Sequence, residues 1–130
     1  MTHKFILIVE EDQNLSHSIA LILQHAGYLV TVACTAQEAS DRIRSRIYHL
    51  VILDTAVPEV NQFLLSKVLV YYPYLSIVIL TDRLLSDVES EIMLSSAQYL
   101  VKPIDPKRLL DCVRSVLGQN RNYSQVDYIQ

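Results

Sequence analysis

The chain has 130 residues, 51% of them hydrophobic and 19% charged, with a formal charge of −3. That is enough sequence for one domain whose core needs no disulfides, and a charge too mild and too negative to draw it onto nucleic acid or an anionic membrane. Its two glycines, Gly27 and Gly118, exclude P-loop and GxGxxG turns, which need several close together so that backbone can approach phosphate.

The first apolar run, Phe5–Val9, has strand length and ends in three successive carboxylates, Glu10, Glu11 and Asp12. Leu15, Ile19, Ile22, Leu23 and Ala26 then recur at helical spacing, and Gly27 stands where a C′ residue belongs. Leu29–Ala33 reads as the second strand. Thr35 through Glu38 form a capping box for a second helix carrying Ala39, Ile43 and Ile47. Leu50–Leu53 is the third strand, closed by Asp54. A third helix over roughly 61–72 is stopped by Pro73. Its apolar residues, Phe63, Leu64, Leu65, Val68, Leu69, Val70, Tyr71 and Tyr72, exceed one buried stripe. The excess is either a partner surface or scattered surface hydrophobes, and the second is the default.

Ile77–Leu80 is the fourth strand and leads into Thr81. Ser86 through Glu89 form another capping box, opening a fourth helix that buries Val88 and Ile92. Tyr99–Val101 is the last strand, followed by Lys102 and Pro103. Asp105 and Pro106, an N-cap and a proline at N1, open a fifth helix with Leu109, Leu110, Val113, Val116 and Leu117 inward and Gly118 as its stop. Residues 119–130 are polar and aperiodic and read as a tail or linker stub.

The strands are aliphatic on both parities, as in a parallel sheet covered on both faces. Strands alternating with helices predict right-handed crossovers. The expectation is a single α/β domain over residues 1–118. It is a (βα)5 flavodoxin-like three-layer sandwich with sheet order 2-1-3-4-5. His3, His17, His25 and His49 show no metal spacing, and Cys34 and Cys112 read as small core residues in a reducing compartment. No segment has transmembrane length and the start is no signal peptide, so no membrane contact and a cytoplasmic location are expected.

In such a sheet, sites form at the carboxyl ends of the strands. Glu10, Glu11, Asp12, Asp54, Thr81 and Lys102 all fall on that rim. The constellation resembles the receiver domain of two-component response regulators over residues 4–118. The motifs carrying the resemblance are the acids after the first strand, Asp54 ahead of Ala56 and Pro58, Thr81 closing Val78-Ile79-Leu80, and Lys102-Pro103 closing Tyr99-Leu100-Val101. The resemblance implies a signalling domain rather than a turnover enzyme. Asp54 would accept a phosphoryl group from a histidine kinase or phosphotransfer protein. Mg²⁺ would be held by Glu10, Glu11, Asp54 and the Ala56 backbone carbonyl, with Asp12 a further candidate, and no organic cofactor is implied. Lys102 and Thr81 would bind phosphoryl oxygens, with Thr81 and Tyr99 moving as a switch. A homodimer or partner face would form from helix 4, strand 5 and helix 5, without direct nucleic-acid binding.

Several positions depart from the family pattern. Glu11 replaces the usual aspartate, and one extra methylene displaces its carboxylate by about 1.5 Å, which strains octahedral Mg²⁺ ligation. Val57 replaces a methionine, Asp82 a small residue, and Gln62 a glycine, which would carry strain if the backbone there had positive φ. These departures support a rival reading, a degenerate receiver acting as a phosphorylation-independent interaction module. A flavin or nucleotide binder, a third possibility, lacks the glycine loops.

Overall fold

The computed structural model describes residues 3–82 and 97–129. Five parallel strands, β1 (Phe5–Val9), β2 (Leu29–Ala33), β3 (Leu50–Asp54), β4 (Ser76–Thr81) and β5 (Ala97–Val101), lie in the order β2-β1-β3-β4-β5. This is the expected doubly wound order. The central strands β1, β3 and β4 are buried almost throughout, whereas the edge strands β2 and β5 are largely half-exposed.

Period-two alternation divides the central strands between two cores. Leu7, Val9, Val51, Leu53, Ile77 and Ile79 pack with Ala39 and Ile43 of α2 (Ala36–Ser45) and with Phe63, Leu64 and Val68 of α3 (residues 60–71). Ile6, Ile8, Leu50, Ile52, Val78 and Leu80 pack on the other face with Ile19 and Leu23 of α1 (Gln13–His25) and Leu109 and Val113 of the C-terminal helix (Pro106–Ile129). Fully burying a side chain of this size stabilises by about 1.5–3 kcal/mol, so each parity has its own reason to be apolar. The three-layer sandwich follows from that.

The local signals act as their chemistry requires. Gly27 has φ +98, the left-handed conformation that ends α1 without a Cβ clash. Thr35 Oγ1 accepts from the Glu38 N–H at 3.0 Å and caps α2. Helix α3 is composite: Val60–Phe63 is α-helical, Leu64–Val68 is a π turn, and Leu69–Tyr71 is α-helical again. Its Val70 and Tyr71 are exposed while Phe63, Leu64 and Val68 are buried.

Two expectations need correction. Helix α2 ends at Ser45, so Ile47 lies beyond it and is 81% exposed rather than part of its buried stripe. The C-terminal helix runs through Gly118 to Ile129 instead of stopping there. A helical glycine costs only about 1 kcal/mol against alanine, too little to stop a helix by itself. The expected fourth helix, with its 86–89 capping box, Val88 and Ile92, lies outside the described residues.

Candidate functional site

Strand register levels the functional residues. Val9 pairs with Leu53, so Glu10 follows β1 at the height where Asp54 closes β3. Asp54 pairs with Leu80, one residue before Thr81, and Thr81 pairs with Val101, one residue before Lys102. The Lys102 N–H donates to the Thr81 carbonyl at 2.7 Å, extending the ladder to the rim. The Lys102–Pro103 peptide bond is cis.

Asp54 is 1% exposed and Glu10 2% exposed. Burying carboxylates is costly unless they are paired, and each has partners. Lys102 Nζ donates to Asp54 Oδ2 and the Ala56 N–H donates to Asp54 Oδ1 at 2.8 Å. The Asp12 N–H donates to Glu10 Oε2 at 3.1 Å, while Lys102 Nζ stands 3.9 Å from Glu10 Oε1. The Glu10 and Asp54 carboxyls are also near enough for each to perturb the other's protonation.

The two carboxyls are pushed in opposite directions by their surroundings. Burial, then the hydrogen bond to Asp54, pushes Glu10 up to about 7. Burial works against ionised Asp54, yet the hydrogen bonds from Glu10, Lys102 and the Ala56 N–H hold its carboxyl below the ordinary value. Burial opposes the Lys102 charge, but Asp54, Glu10 and Asp82 outweigh it and keep the ammonium protonated above its ordinary range. The site therefore favours an ionised Asp54 beside an ammonium, with Glu10 keeping its proton to higher pH than an ordinary carboxyl.

The rim acids do not act as one group. Glu11 is exposed, and Asp12 is the N-cap of α1, its Oδ1 accepting from the Asn14 and Leu15 N–H groups at 2.9 and 3.2 Å. Glu11 is not gathered with Glu10 and Asp54, and among the described residues no three Asp, Glu, His or Cys side chains are grouped to hold a metal ion. The donor set still fits a hard cation that keeps most of its waters. Glu10 Oε1 is buried without a hydrogen-bond partner, Asp54 offers a second carboxylate, and Ala56 is exposed beside them.

Thr81 is fully buried at the end of β4. Tyr99, half-buried on β5, packs against the core that α2 and α3 cover. Gln62 lies within a helical turn, and the positive φ falls instead on Glu59 (φ 66), which a left-handed non-glycine residue adopts at a cost of about 1–2 kcal/mol. Asp12 as a helix cap was legible, since aspartate two and three residues ahead of free N–H groups is a preferred cap. The coupling of Glu10 to Asp54 was not, because it depends on the separation of side chains on different strands.

A doubly wound sheet with a buried, lysine-held aspartate and a second acid at its carboxyl rim defines an α/β domain built around an acidic pocket. The chain belongs to the response regulator receiver domain family, whose model matches residues 6–114. The response regulator ArlR of Staphylococcus aureus is 32% identical over 125 residues, covering 94% of this chain and 56% of the relative. The chain thus spans about half the length of the curated relatives it matches. Among solved structures, the chemotaxis response regulator CheY4 of Vibrio cholerae has a TM-score of 0.80 at 25% identity, covering 88% of this chain and 99% of that one. A CheY-like receiver domain from Methanospirillum hungatei has a TM-score of 0.79 at 24% identity, covering 94% and 99%, and bears on the fold alone. No helix of the described residues is long and apolar enough to cross a membrane.

Proposed function

We propose that this receiver domain accepts a phosphoryl group on Asp54 from the phosphohistidine of a histidine kinase or phosphotransfer protein. The observation that carries the reading is the buried Asp54 carboxylate held by Lys102 and the Ala56 N–H. An Asp54 oxygen forms the new P–O bond as the P–N bond of the donor breaks, and the leaving imidazole takes up a proton. Lys102 presents a point charge to a phosphoryl oxygen, and the Thr81 hydroxyl is one position from the strand partner of Asp54. Glu10, Asp54 and the Ala56 carbonyl would hold Mg²⁺, which would neutralise charge on the transferring group. Thr81 and Tyr99 serve as the switch, and the face around β5 and the helix after it as the dimer or partner surface. The cytoplasm is the compartment this chemistry implies.

The rival reading, a phosphorylation-independent interaction module, is favoured by the exposed Glu11 and by the use of Asp12 as a helix cap. Acetyl phosphate with Mg²⁺ separates the two. Wild type should gain the mass of one phosphoryl group, mapped to Asp54, and Asp54→Asn should gain none. If wild type stays unmodified and also ignores beryllofluoride, the interaction module is the better account.

A further inference from the structure

The opposite end of the sheet carries a second feature that the phosphoryl site does not use. A cleft of about 670 Å³ opens between the end of α2, the 72–75 turn and the starts of β1 and β3. Its depth is apolar, with Ile43, Leu75 and Leu117 in the lining. Its rim is cationic, with Lys4, Arg44 and Arg46. A smaller hollow beside it shares Ile43, Arg44 and Tyr72 and adds Lys67 and Tyr71. In a chain of net charge −3, this is a local excess of positive charge, offset by Asp41, which pairs with Arg44 at 2.7 Å. His49 adds no charge to it. Burial, then Lys4, lowers its affinity for a proton, and its Nδ1 accepts from the Phe5 N–H at 2.9 Å.

The apolar residues around this rim are unusually open to water. Tyr74 is 95% exposed and Ile47 81%, with Val70 and Tyr71 exposed nearby on α3. Ile47 and Tyr74 line the cleft itself and Tyr71 the adjoining hollow, and exposed apolar surface edged by charge often marks an interaction site.

We propose that this cleft docks an acidic protein segment that inserts one aliphatic or aromatic anchor side chain. The apolar depth takes the anchor, and Lys4, Arg44, Arg46 and Lys67 complement carboxylates on either side of it. A nucleic acid fits less well. Tyr48, Tyr72 and Tyr74 share the lining with the aliphatic residues, but the chain's net charge of −3 opposes a long polyanion, and the Phe5 ring is already covered by Arg46, 4.5 Å from its centroid, and by His49. The strands separate this cleft from Asp54 by about 17 Å, five residues of β-structure, and the proposal does not rest on phosphorylation.

The test uses the full chain, labelled with ¹⁵N, and a short glutamate-rich peptide carrying one leucine and one tryptophan. Titration should move the amide signals of Arg44, Ile47 and Tyr74, with binding that weakens as salt rises. The double variant Arg44→Glu, Arg46→Glu should weaken binding by about tenfold or more, by reversing the charge that the peptide meets. Ile47→Ser, at a position too exposed to matter for folding, should weaken it by about threefold through lost apolar contact. Both variants should still accept a phosphoryl group from acetyl phosphate to the same extent as wild type. The proposal is overturned if the cleft signals do not move, or if a lysine-rich peptide with the same anchors binds equally well. Tighter binding of single-stranded oligothymidylate would also overturn it, as would self-association of the chain that Ile47→Ser abolishes.

Discussion

At the carboxyl end of the strands, Glu10, Asp54 and Lys102 are drawn largely out of water and hold one another. At the amino end, Lys4, Arg44 and Arg46 stand around an open cleft, and the Arg44–Asp41 pair is more than half exposed. Both ends concentrate charge, but the solvent around it differs. Buried charges are coupled, so a change at one shifts the protonation of the others. Exposed charges are screened and act almost independently, each contributing a few tenths of a kcal/mol to folding. The carboxyl end is therefore suited to chemistry at a chosen atom. The amino end is suited to recognition that costs the fold little.

The sharpest way to break this contrast is to remove the shared cation. Lys102→Met leaves two buried acids without their ammonium and should lower unfolding free energy at neutral pH by about 3–4 kcal/mol, measured by urea denaturation without divalent ions. A loss no larger than that of a surface lysine would put the rim charges in the same class as those of the cleft.

Next comes the pH profile. The folded-state Glu10 carboxyl titrates near 7 against an ordinary value of 4.5, so the folded chain holds this proton more tightly than the unfolded one. Its contribution is complete below the ordinary value and is lost as pH rises through about 7. The linked change is about 3 kcal/mol. Asp54, held below its ordinary value, acts oppositely, and its contribution disappears as pH falls below the carboxylate range. In magnesium-free buffer, stability should thus decline between mildly acidic and neutral pH. Glu10→Gln should flatten that decline.

Asp12→Ala should cost about 1 kcal/mol, the loss of an N-cap, and leave any thermal response to Mg²⁺ unchanged. A vanished Mg²⁺ response would make Asp12 a ligand and return it to the pocket. Smallest of all, Arg46→Ala should cost about 0.5 kcal/mol through its stacking on Phe5, measured by the same denaturation, with acetyl phosphate modification unaffected.

Much of the architecture could be read before any coordinates. The aliphatic residues of β1, β3 and β4 fall on both parities because both faces are covered, and that pattern predicts a doubly wound parallel sheet. Gly27 and Thr35 announced their conformations because one backbone geometry and one hydrogen bond are local matters. Ile47 misled because periodicity counts apolar residues without knowing whether anything covers them. The condition set for Gln62, a positive φ, is met at Glu59 instead, because a loop can put its positive φ at more than one residue. Glu10 and Glu11 are adjacent and chemically alike, yet one is buried beside Asp54 and the other is in solvent. Residue type cannot distinguish them, whereas strand direction at the rim does.

The most direct test of the coupled rim is a ¹³C NMR titration of the Glu10 side-chain carboxyl, with and without Mg²⁺. The account predicts a midpoint near 7 in metal-free solution, moving down when Mg²⁺ competes with the proton and falling in Asp54→Asn. A midpoint in the ordinary glutamate range, indifferent to both Mg²⁺ and the substitution, would contradict it.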